Sequence, residues 1–192
     1  LLENKTNITI QGVRGQTKIY ATNGLGEGMF ISNCSGIKLV GVDYIAYTNN
    51  NYTQLPGYSP VTTNQGSFLW ANIAYYRSEN LLFSGLYMSG GCDHGIADNA
   101  YLDGTQFPNG NIKSTNNIVF EDCTFVNQGG FRTNSASGGA TTFAQDGTSI
   151  VPTSARIRRC HFESSLRGIE PYDESDSGGG VFTEIEITDC SF

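Results

Sequence analysis

The chain has 192 residues, 24 of them Gly, with a hydrophobic fraction of 38% and a formal net charge of −7 at pH 7. This length suits a single domain, and the acidic balance argues against a nucleic-acid partner, because phosphate backbones select basic surfaces. No apolar run reaches the length of a membrane-spanning helix, and the N-terminal residues lack the pattern of a signal peptide, so we expect no insertion into a membrane.

A nine-residue pattern recurs six times along the chain, most clearly in residues 117–125, NIVFEDCTF. Counted from the first residue of each copy, positions +1, +3, +6 and +8 are apolar, and Gly15 is the one exception. The interval between copies varies from 29 residues to 44 residues, which is typical of solenoid turns that carry loops of different lengths. The copies begin at Asn7, Gly36, Asn80, Asn117, Ser154 and Glu184.

The order of the apolar positions predicts two short strands in every copy. Alternation at +1 and +3, and again at +6 and +8, is typical of strands with one buried face, and the change of phase between them predicts a corner. One turn alone cannot bury its apolar face, whereas stacked turns share a core, with strands about 4.8 Å apart. We therefore predict an all-β fold: a single-stranded parallel β-helix of at least six coils, forming one domain over residues 1–192. Because the sixth copy ends the chain, we expect a fragment of a longer helix.

The polar positions support this stacking, because opposite charges fall side by side in successive copies. Such cross-strand pairs contribute about 0.2–1 kcal/mol each. The predicted pairs are Glu121 with Arg158, Asp122 with Arg159, and Arg156 with Glu186. We interpret them as a self-neutralising surface and not as catalytic groups.

Three of the five cysteines, Cys123, Cys160 and Cys190, share position +6. Side chains stacked one strand apart keep their Cβ atoms slightly too far apart for a disulfide bond. We therefore predict reduced thiols that pack in the core as small apolar groups. Because the chain has only two His, we do not expect a structural zinc site.

Three segments resemble the coils of a known family: GMFISNCSGIKLVGVDY at 28–44, RSENLLFSGLYM at 77–88 and TNNIVFEDCTF at 115–125. Over nearly its whole length the chain is similar to right-handed parallel β-helices of the pectate-lyase-like superfamily, which includes pectate lyases, polygalacturonases and phage tailspikes. In character it is closest to the tailspike and depolymerase members. The resemblance implies a right-handed coil, a polysaccharide partner and a location outside the cell, on the cell surface or on a virion. It is also compatible with a homotrimer of helices lying side by side.

The first long insertion, residues 45–67, is rich in Asn, Thr and Tyr and carries no charged residue. Tyr52 and Tyr58 lie within it, and Trp70 follows shortly after. Aromatic faces beside amide and hydroxyl groups suit sugar rings, which have apolar faces and polar edges. We therefore regard these three residues as candidate sugar contacts, with a loop that only covers the flank of the helix as the alternative.

A Gly-rich segment, residues 89–104, gathers Asp93, His94 and Asp98. Its glycines allow a ligand to approach the backbone closely. One interpretation is an acid–base or substrate-binding cluster. The alternative is a turn in which Asp and Asn side chains bond to the backbone.

A second long insertion covers residues 126–153, and an acidic segment follows the fifth copy at 166–176. Residues 129–131 and 167–169 are predicted to occupy the same coil position as residues 94–96. Calcium could bind at Asp173, Glu174 and Asp176, and a solvated acidic loop is the alternative. The candidate site residues in these two segments are Arg132, Arg167, Glu170, Tyr172 and Asp173.

Glycoside hydrolysis usually needs two carboxyl groups, about 5–5.5 Å apart for retention of configuration and 6.5–9.5 Å for inversion. Counted from their anchors, Asp98 lies at +18 and Asp173 at +19, two turns apart. We therefore predict a glycoside hydrolase in which Asp98 is paired with Asp173 or Glu170, without an obligatory cofactor. The residues expected to assist are Asp93, His94 and Arg167.

Two other functions stay open on the sequence alone. A lyase of the pectate type uses a basic residue beside calcium-binding acids, parts that Arg132 and Arg167 could play here. A glycan-binding adhesin or fibre would share every feature except catalysis. Polygalacturonases carry Asn-Thr-Asp, Asp-Asp and Gly-His-Gly motifs. The chain has Asp93-His94-Gly95 in place of the last and neither of the other two.

Overall fold

The computed structural model describes residues 1–21, 25–46, 68–76, 78–89, 92–98, 115–126, 131–134, 152–163, 169–172 and 181–192. All regular secondary structure in these residues is β. In this part of the chain no helix is long and apolar enough to span a membrane. In chain order the strands are β1 (Leu2–Glu3), β2 (Thr9–Gln11), β3 (Lys18–Ala21), β4 (Leu25–Ser32), β5 (Lys38–Val40), β6 (Asp43–Ala46), β7 (Phe68–Tyr76), β8 (Leu81–Ser84), β9 (Tyr87–Ser89), β10 (Cys92–Asp98), β11 (Thr115–Glu121), β12 (Thr124–Val126), β13 (Phe131–Asn134), β14 (Pro152–Arg158), β15 (His161–Glu163), β16 (Ile169–Tyr172) and β17 (Val181–Thr188).

The strands form three sheets. Sheet I has the order β1-β4-β7-β10-β13-β16, sheet II the order β17-β14-β11-β8-β5-β2, and sheet III the order β15-β12-β9-β6-β3. The chain thus visits sheets I, II and III in a fixed rotation, and every strand pairs in parallel with the strand three places before or after it. This arrangement is compatible with a parallel β-solenoid.

The predicted inward positions form continuous columns of buried side chains. In sheet II the +3 column has six members: Ile10, Leu39, Phe83, Phe120, Ile157 and Ile187. The inner four are almost fully buried, and the rings of Phe83 and Phe120 stack with their centroids 4.9 Å apart, whereas Ile187 on the outermost strand is 47% exposed. In sheet III the +8 column consists of Tyr44, Met88, Phe125 and Phe162. Buried residues from all three sheets belong to one hydrophobic cluster, so the turns share a single core.

The first coil departs from the predicted alignment in its second strand. The alignment puts Val13 and Gly15 at the inward positions +6 and +8, but Ile19 is the residue that pairs with Tyr44 in sheet III. Residues 13–16 form a turn closed by two hydrogen bonds to the Val13 carbonyl, 2.9 and 2.8 Å long. Val13 is 56% exposed, so its assignment to the core is wrong. With the four-residue turn taken out, Ile19 takes position +8 in place of Gly15, and Thr17 takes position +6 in place of Val13.

The corner predicted at the change of phase contains a left-handed backbone residue in five copies. Its φ angle lies between +52° and +63°. L-residues other than Gly seldom adopt this conformation, because it costs them about 1–2 kcal/mol. The five residues, all at position +5, are Gly41, Gly85, Asp122, Arg159 and Asp189. The left-handed residue turns the chain from sheet II into sheet III, which accounts for the shift of the inward positions by one residue.

The outer surface of sheet II confirms the three predicted charge pairs. Most of these side chains are about half exposed, so solvent and salt weaken each pair. The pairs are Arg158 with Glu121 (2.6 Å), Arg159 with Asp122 (2.8 Å) and Arg156 with Glu186 (3.6 Å).

The cysteine column at position +6 contains free thiols, as predicted. Each Sγ donates a hydrogen bond to a backbone carbonyl, such as that from Cys123 to Phe83 O at 3.4 Å. Burial raises the pKa of the Cys123 thiol well above its usual range. Cys123 is therefore a poor nucleophile and contributes to the core instead.

Candidate functional site

Seven of the predicted site residues lie on four neighbouring strands of sheet I. They are Trp70 on β7, Asp93, His94 and Asp98 on β10, Arg132 on β13, and Glu170 and Tyr172 on β16. Outside the described residues lie Tyr52, Tyr58, Arg167 and Asp173, together with Glu174 and Asp176 of the predicted calcium site. Sheet I is therefore the candidate surface within the described part of the chain.

The register of sheet I aligns the two segments that the sequence predicts to be equivalent. Ile96 of β10 pairs with Phe131 of β13, and Phe131 pairs in turn with Ile169 of β16. Ile96 and Ile169 thus occupy the same coil position, as predicted, whereas residues 167 and 168 lie outside the described residues. Distances between candidate residues on different strands can be read from this register.

Arg132 and Glu170 are brought together by the register. They are direct partners on β13 and β16, and Ala97 is the partner of Arg132 on the other side. Neighbouring strands lie about 4.8 Å apart, so an acidic and a basic residue occupy adjacent positions in one column. Two residues further along the same strands, Tyr172 pairs with Asn134. Basic, acidic, aromatic and amide residues thus lie within one small area of sheet I.

Asp98 occupies a different kind of position. Its partner on β7 is Tyr75, which is fully buried in the hydrophobic cluster. Successive residues of a strand belong to columns on opposite faces of the sheet. Glu170 is in the column of Ala97, so Asp98 and Glu170 belong to columns on opposite faces. Asp98 and Glu170 are two strands apart and one residue out of step, which puts their Cα atoms about 10 Å apart. Their pairing as catalytic acids stays a prediction, as does that of Asp98 with Asp173.

The remaining candidates lie nearer the N-terminal ends of β7 and β10. His94 precedes Asp98 by four residues of the same strand, a distance of about 13 Å, so the strand does not bring them together. The pairing of β7 with β10 places Trp70 opposite Asp93. An aromatic and an acidic residue side by side suit a sugar, which has an apolar face and hydroxyl edges.

Sheet III carries a polar row that the sequence analysis does not single out. Thr124 Oγ1 accepts a hydrogen bond of 2.7 Å from Arg14, whose guanidinium lies 5.9 Å from the ring centroid of Tyr87. His161 Nδ1 lies 2.7 Å from Ser191 Oγ. Four of these residues share position +7 of the repeat, so aligning that polar column would have found them. No sequence pattern indicates the contact of Arg14, in the turn at 13–16, with Thr124.

The described residues do not form a metal site. Across the described ranges, no group of three or more His, Cys, Asp and Glu side chains could hold a metal ion. The predicted calcium ligands fall in residues 173–180, outside those ranges, so calcium binding stays a prediction.

Comparison with known proteins does not narrow the function further. No protein-family model, no curated protein and no solved structure matches the chain. The fold itself defines the class: an all-β protein with three parallel sheets in rotation, compatible with a solenoid. The polar residues of sheets I and III are therefore the features that indicate a function.

Proposed function

We propose that the chain forms a right-handed parallel β-helix of the pectate-lyase-like type that binds a polysaccharide along sheet I and hydrolyses it. The observation that carries this proposal is the gathering of seven candidate residues on β7, β10, β13 and β16. The interval between those strands, about 4.8 Å, is close to the length of one sugar residue in an extended chain. A polysaccharide lying across the strands would therefore meet one coil per sugar.

The column of Arg132 and Glu170 supplies the groups such a site needs. A guanidinium is a donor for sugar hydroxyls or for a sugar carboxylate, and a carboxylate beside it suits the role of general base. The second carboxyl group in this proposal is Asp98 or Asp173.

The test is polysaccharide cleavage by the chain and its variants. The protein is incubated with a panel of neutral and acidic polysaccharides, and new reducing ends are measured. Glu170→Gln and Asp98→Asn should each lower the rate at least about 100-fold with an unchanged far-UV circular dichroism spectrum. Glu186→Gln is the matched control, since Glu186 is an exposed acid on sheet II. Full activity in both sheet I variants would refute this hydrolase site.

A glycan-binding or structural solenoid without catalysis is the second candidate. The pairing of Asp98 with buried Tyr75 favours it, because this column otherwise serves the core. Polysaccharide binding without new reducing ends would identify such a binder. Products that absorb in the ultraviolet through a new C=C bond would identify a lyase instead.

Location and assembly follow from the same proposal. A protein that degrades polysaccharides acts outside the cell, on a cell surface or on a virion, where its substrate lies. Side-by-side association of three helices is the assembly implied by the resemblance to tailspikes. Analytical ultracentrifugation would detect a trimer, and a monomer at micromolar concentration would contradict it.

A further inference from the structure

A His and a Glu of β15, the outermost strand of sheet III, lie beside a Ser that pairs with β15 through an isolated β-bridge. His161 Nδ1 lies 2.7 Å from Ser191 Oγ, and the two residues form a parallel β-bridge. On the other side of the ring, Nε2 lies 3.8 Å from Glu163 Oε2. A hydroxyl in contact with an imidazole whose second nitrogen faces a carboxylate is the arrangement that activates a serine nucleophile. We propose that Ser191, His161 and Glu163 form an acyl-transfer site that hydrolyses esters.

The backbone fixes the relative positions of the three side chains. The N–H of Ser191 donates to the carbonyl of Cys160 at 3.0 Å, and its carbonyl accepts from the N–H of Phe162 at 2.9 Å. Phe162 lies between His161 and Glu163 and is only 4% exposed. Since alternate residues of a strand take opposite faces, burial of Phe162 keeps His161 and Glu163 together on the outer face. His161 and Glu163 are thus held by a strand, and Ser191 is held beside it by two backbone hydrogen bonds.

The exposure of the site indicates its class of substrate. The side chains of His161 and Glu163 are 46% and 61% exposed, and they lie on the open surface of a sheet. A large substrate can reach such a surface, so we assign it an acyl ester carried by a polymer. The site lies on sheet III, whereas the proposed polysaccharide site lies on sheet I, so neither proposal depends on the other.

The reaction starts from the tautomer of His161 that carries its proton on Nε2. Ser191 Oγ bonds to the carbonyl carbon of the ester while its proton moves to Nδ1 of His161, and the carbonyl electron pair moves onto oxygen. When that pair returns, the bond to the alcohol oxygen breaks and the alcohol takes the proton from Nδ1. Water then attacks the acyl-serine, giving up a proton to Nδ1. Release of the carboxylic acid returns the proton to Ser191.

Glu163 acts through His161 and is therefore a positioning residue. The imidazole becomes cationic in each half of the reaction, and a carboxylate 3.8 Å from Nε2 favours that cation and holds the ring in orientation. Removing its charge should lower kcat and leave KM unchanged. Glu163→Gln should have this effect, and Glu163→Asp should restore part of kcat.

The test combines covalent labelling with turnover. The intact chain is treated with a fluorophosphonate, which modifies activated serines, and the modified residue is identified by mass spectrometry. Multiple turnovers of p-nitrophenyl acetate are measured in parallel. Label at Ser191, and a loss of at least about 100-fold in kcat/KM in Ser191→Ala and His161→Gln, are expected.

Ser84→Ala is the matched control. Ser84 Oγ donates to Glu121 Oε1 at 3.1 Å, a serine–carboxylate contact in which no imidazole takes the proton. This control should label and turn over like the unaltered chain. Absence of label at Ser191, or unchanged turnover in Ser191→Ala, would overturn the acyl-transfer site and leave a polar cross-strand contact. Polysaccharide cleavage at sheet I should be unaffected by Ser191→Ala, so failure of one proposal is distinguishable from failure of the other.

Discussion

The early and late coils build the same corner in two different ways. In the second and third copies the left-handed residue is Gly, at Gly41 and Gly85, whereas the later copies use Asp122, Arg159 and Asp189. The backbone is equivalent in both groups, because the corner N–H bonds the next strand in each: Gly41 to Ser84 O at 2.8 Å and Asp122 to Arg158 O at 3.1 Å. A corner that needs a positive φ can therefore be made either without strain or with strain that neighbouring contacts offset.

Close approach of the backbone distinguishes the two early corners. A Cβ on Gly41 would lie 2.7 Å from the carbonyl oxygen of Gly12, a contact that side chains do not make. A Cβ on Gly85 would meet its nearest atoms, in Gly41, at an ordinary 3.8 Å. Position 41 thus needs Gly for two reasons, and position 85 only for its φ.

Charge complementarity accompanies the late corners. Arg159 binds both carboxylate oxygens of Asp122, at 2.8 and 2.9 Å, and Asp189 occupies the same corner position on the next strand. The alternation of acid, base and acid along this column gives each strained residue an attractive neighbour. The charged corners begin at Asp122, one coil after the last Gly corner, Gly85.

The largest expected effect comes from Gly41→Ala. Left-handed strain and the contact with Gly12 O should together lower the free energy of unfolding by about 3 kcal/mol or more. Gly85→Ala is the matched comparison and should lower it by only about 1 kcal/mol, because strain alone applies. Urea unfolding followed by circular dichroism measures both. Equal losses in the two variants would show that the contact with Gly12 O adds nothing to the cost of a side chain at position 41.

Acid should weaken the late corners but not the early ones. The hydrogen bond from Arg159 lowers the pKa of Asp122 below its usual range. A lowered native pKa means that this stabilisation is present above the unfolded-state pKa of about 3.9 and is lost as the pH falls through the native pKa. Thermal unfolding should therefore show a Tm difference between the unaltered chain and Asp122→Asn near neutral pH that shrinks in strong acid. A difference independent of pH would contradict this account.

A smaller effect is expected from exchanging the two solutions at one corner. Arg159→Gly loses the exposed ion pair but gains an unstrained left-handed residue, so its Tm should stay close to that of the unaltered chain. Arg159→Ala loses the ion pair and keeps the strain, so its Tm should be lower than that of Arg159→Gly. The reverse order would show that strain does not matter at this corner.

The smallest effect concerns the buried position after the corner. Early copies use Val42 and Leu86 there, and later ones Cys123, Cys160 and Cys190. Because the thiols pack as apolar groups, Cys123→Val should change the free energy of unfolding by less than about 1.5 kcal/mol. Cys190 is half-buried, so 5,5′-dithiobis-(2-nitrobenzoate) should modify Cys190 before Cys123 in the native chain. Faster reaction of Cys123 would contradict the packed column.

The repeat predicts the core well because an apolar column leaves a direct trace in the sequence. From Leu39 to Ile157 the sheet II column follows the alignment residue for residue. In the first coil, four inserted residues keep an apolar Val13 at the expected spacing, so pattern alone chose the wrong partner for Tyr44. The left-handed state of Arg159 was equally hidden, because Arg has no preference for it and only the equivalent Gly residues indicate it.

The candidate sites are less accessible to such reasoning, because chemistry depends on side chains that meet across strands. The register of Arg132 with Glu170 follows from aligning residues 129–131 with 167–169, because each of the two residues comes directly after its segment. The contact between His161 and Ser191 needs the orientation of both side chains, which spacing along the chain does not specify. A polar column in an alignment indicates neighbours, whereas reactivity needs geometry.

Because every strand pairs with the strand three places away, a whole coil could be lost or gained during evolution without changing the pairing of the others. Removing residues 118–154, one full period of 37 residues, would place Ala155 after Asn117 and set Ile157 against Phe83. The shortened chain would keep its columns and be shorter by one strand spacing, about 4.8 Å. Unequal recombination between repeats of the gene could therefore lengthen or shorten the protein in whole steps, with its surface chemistry then free to diverge coil by coil.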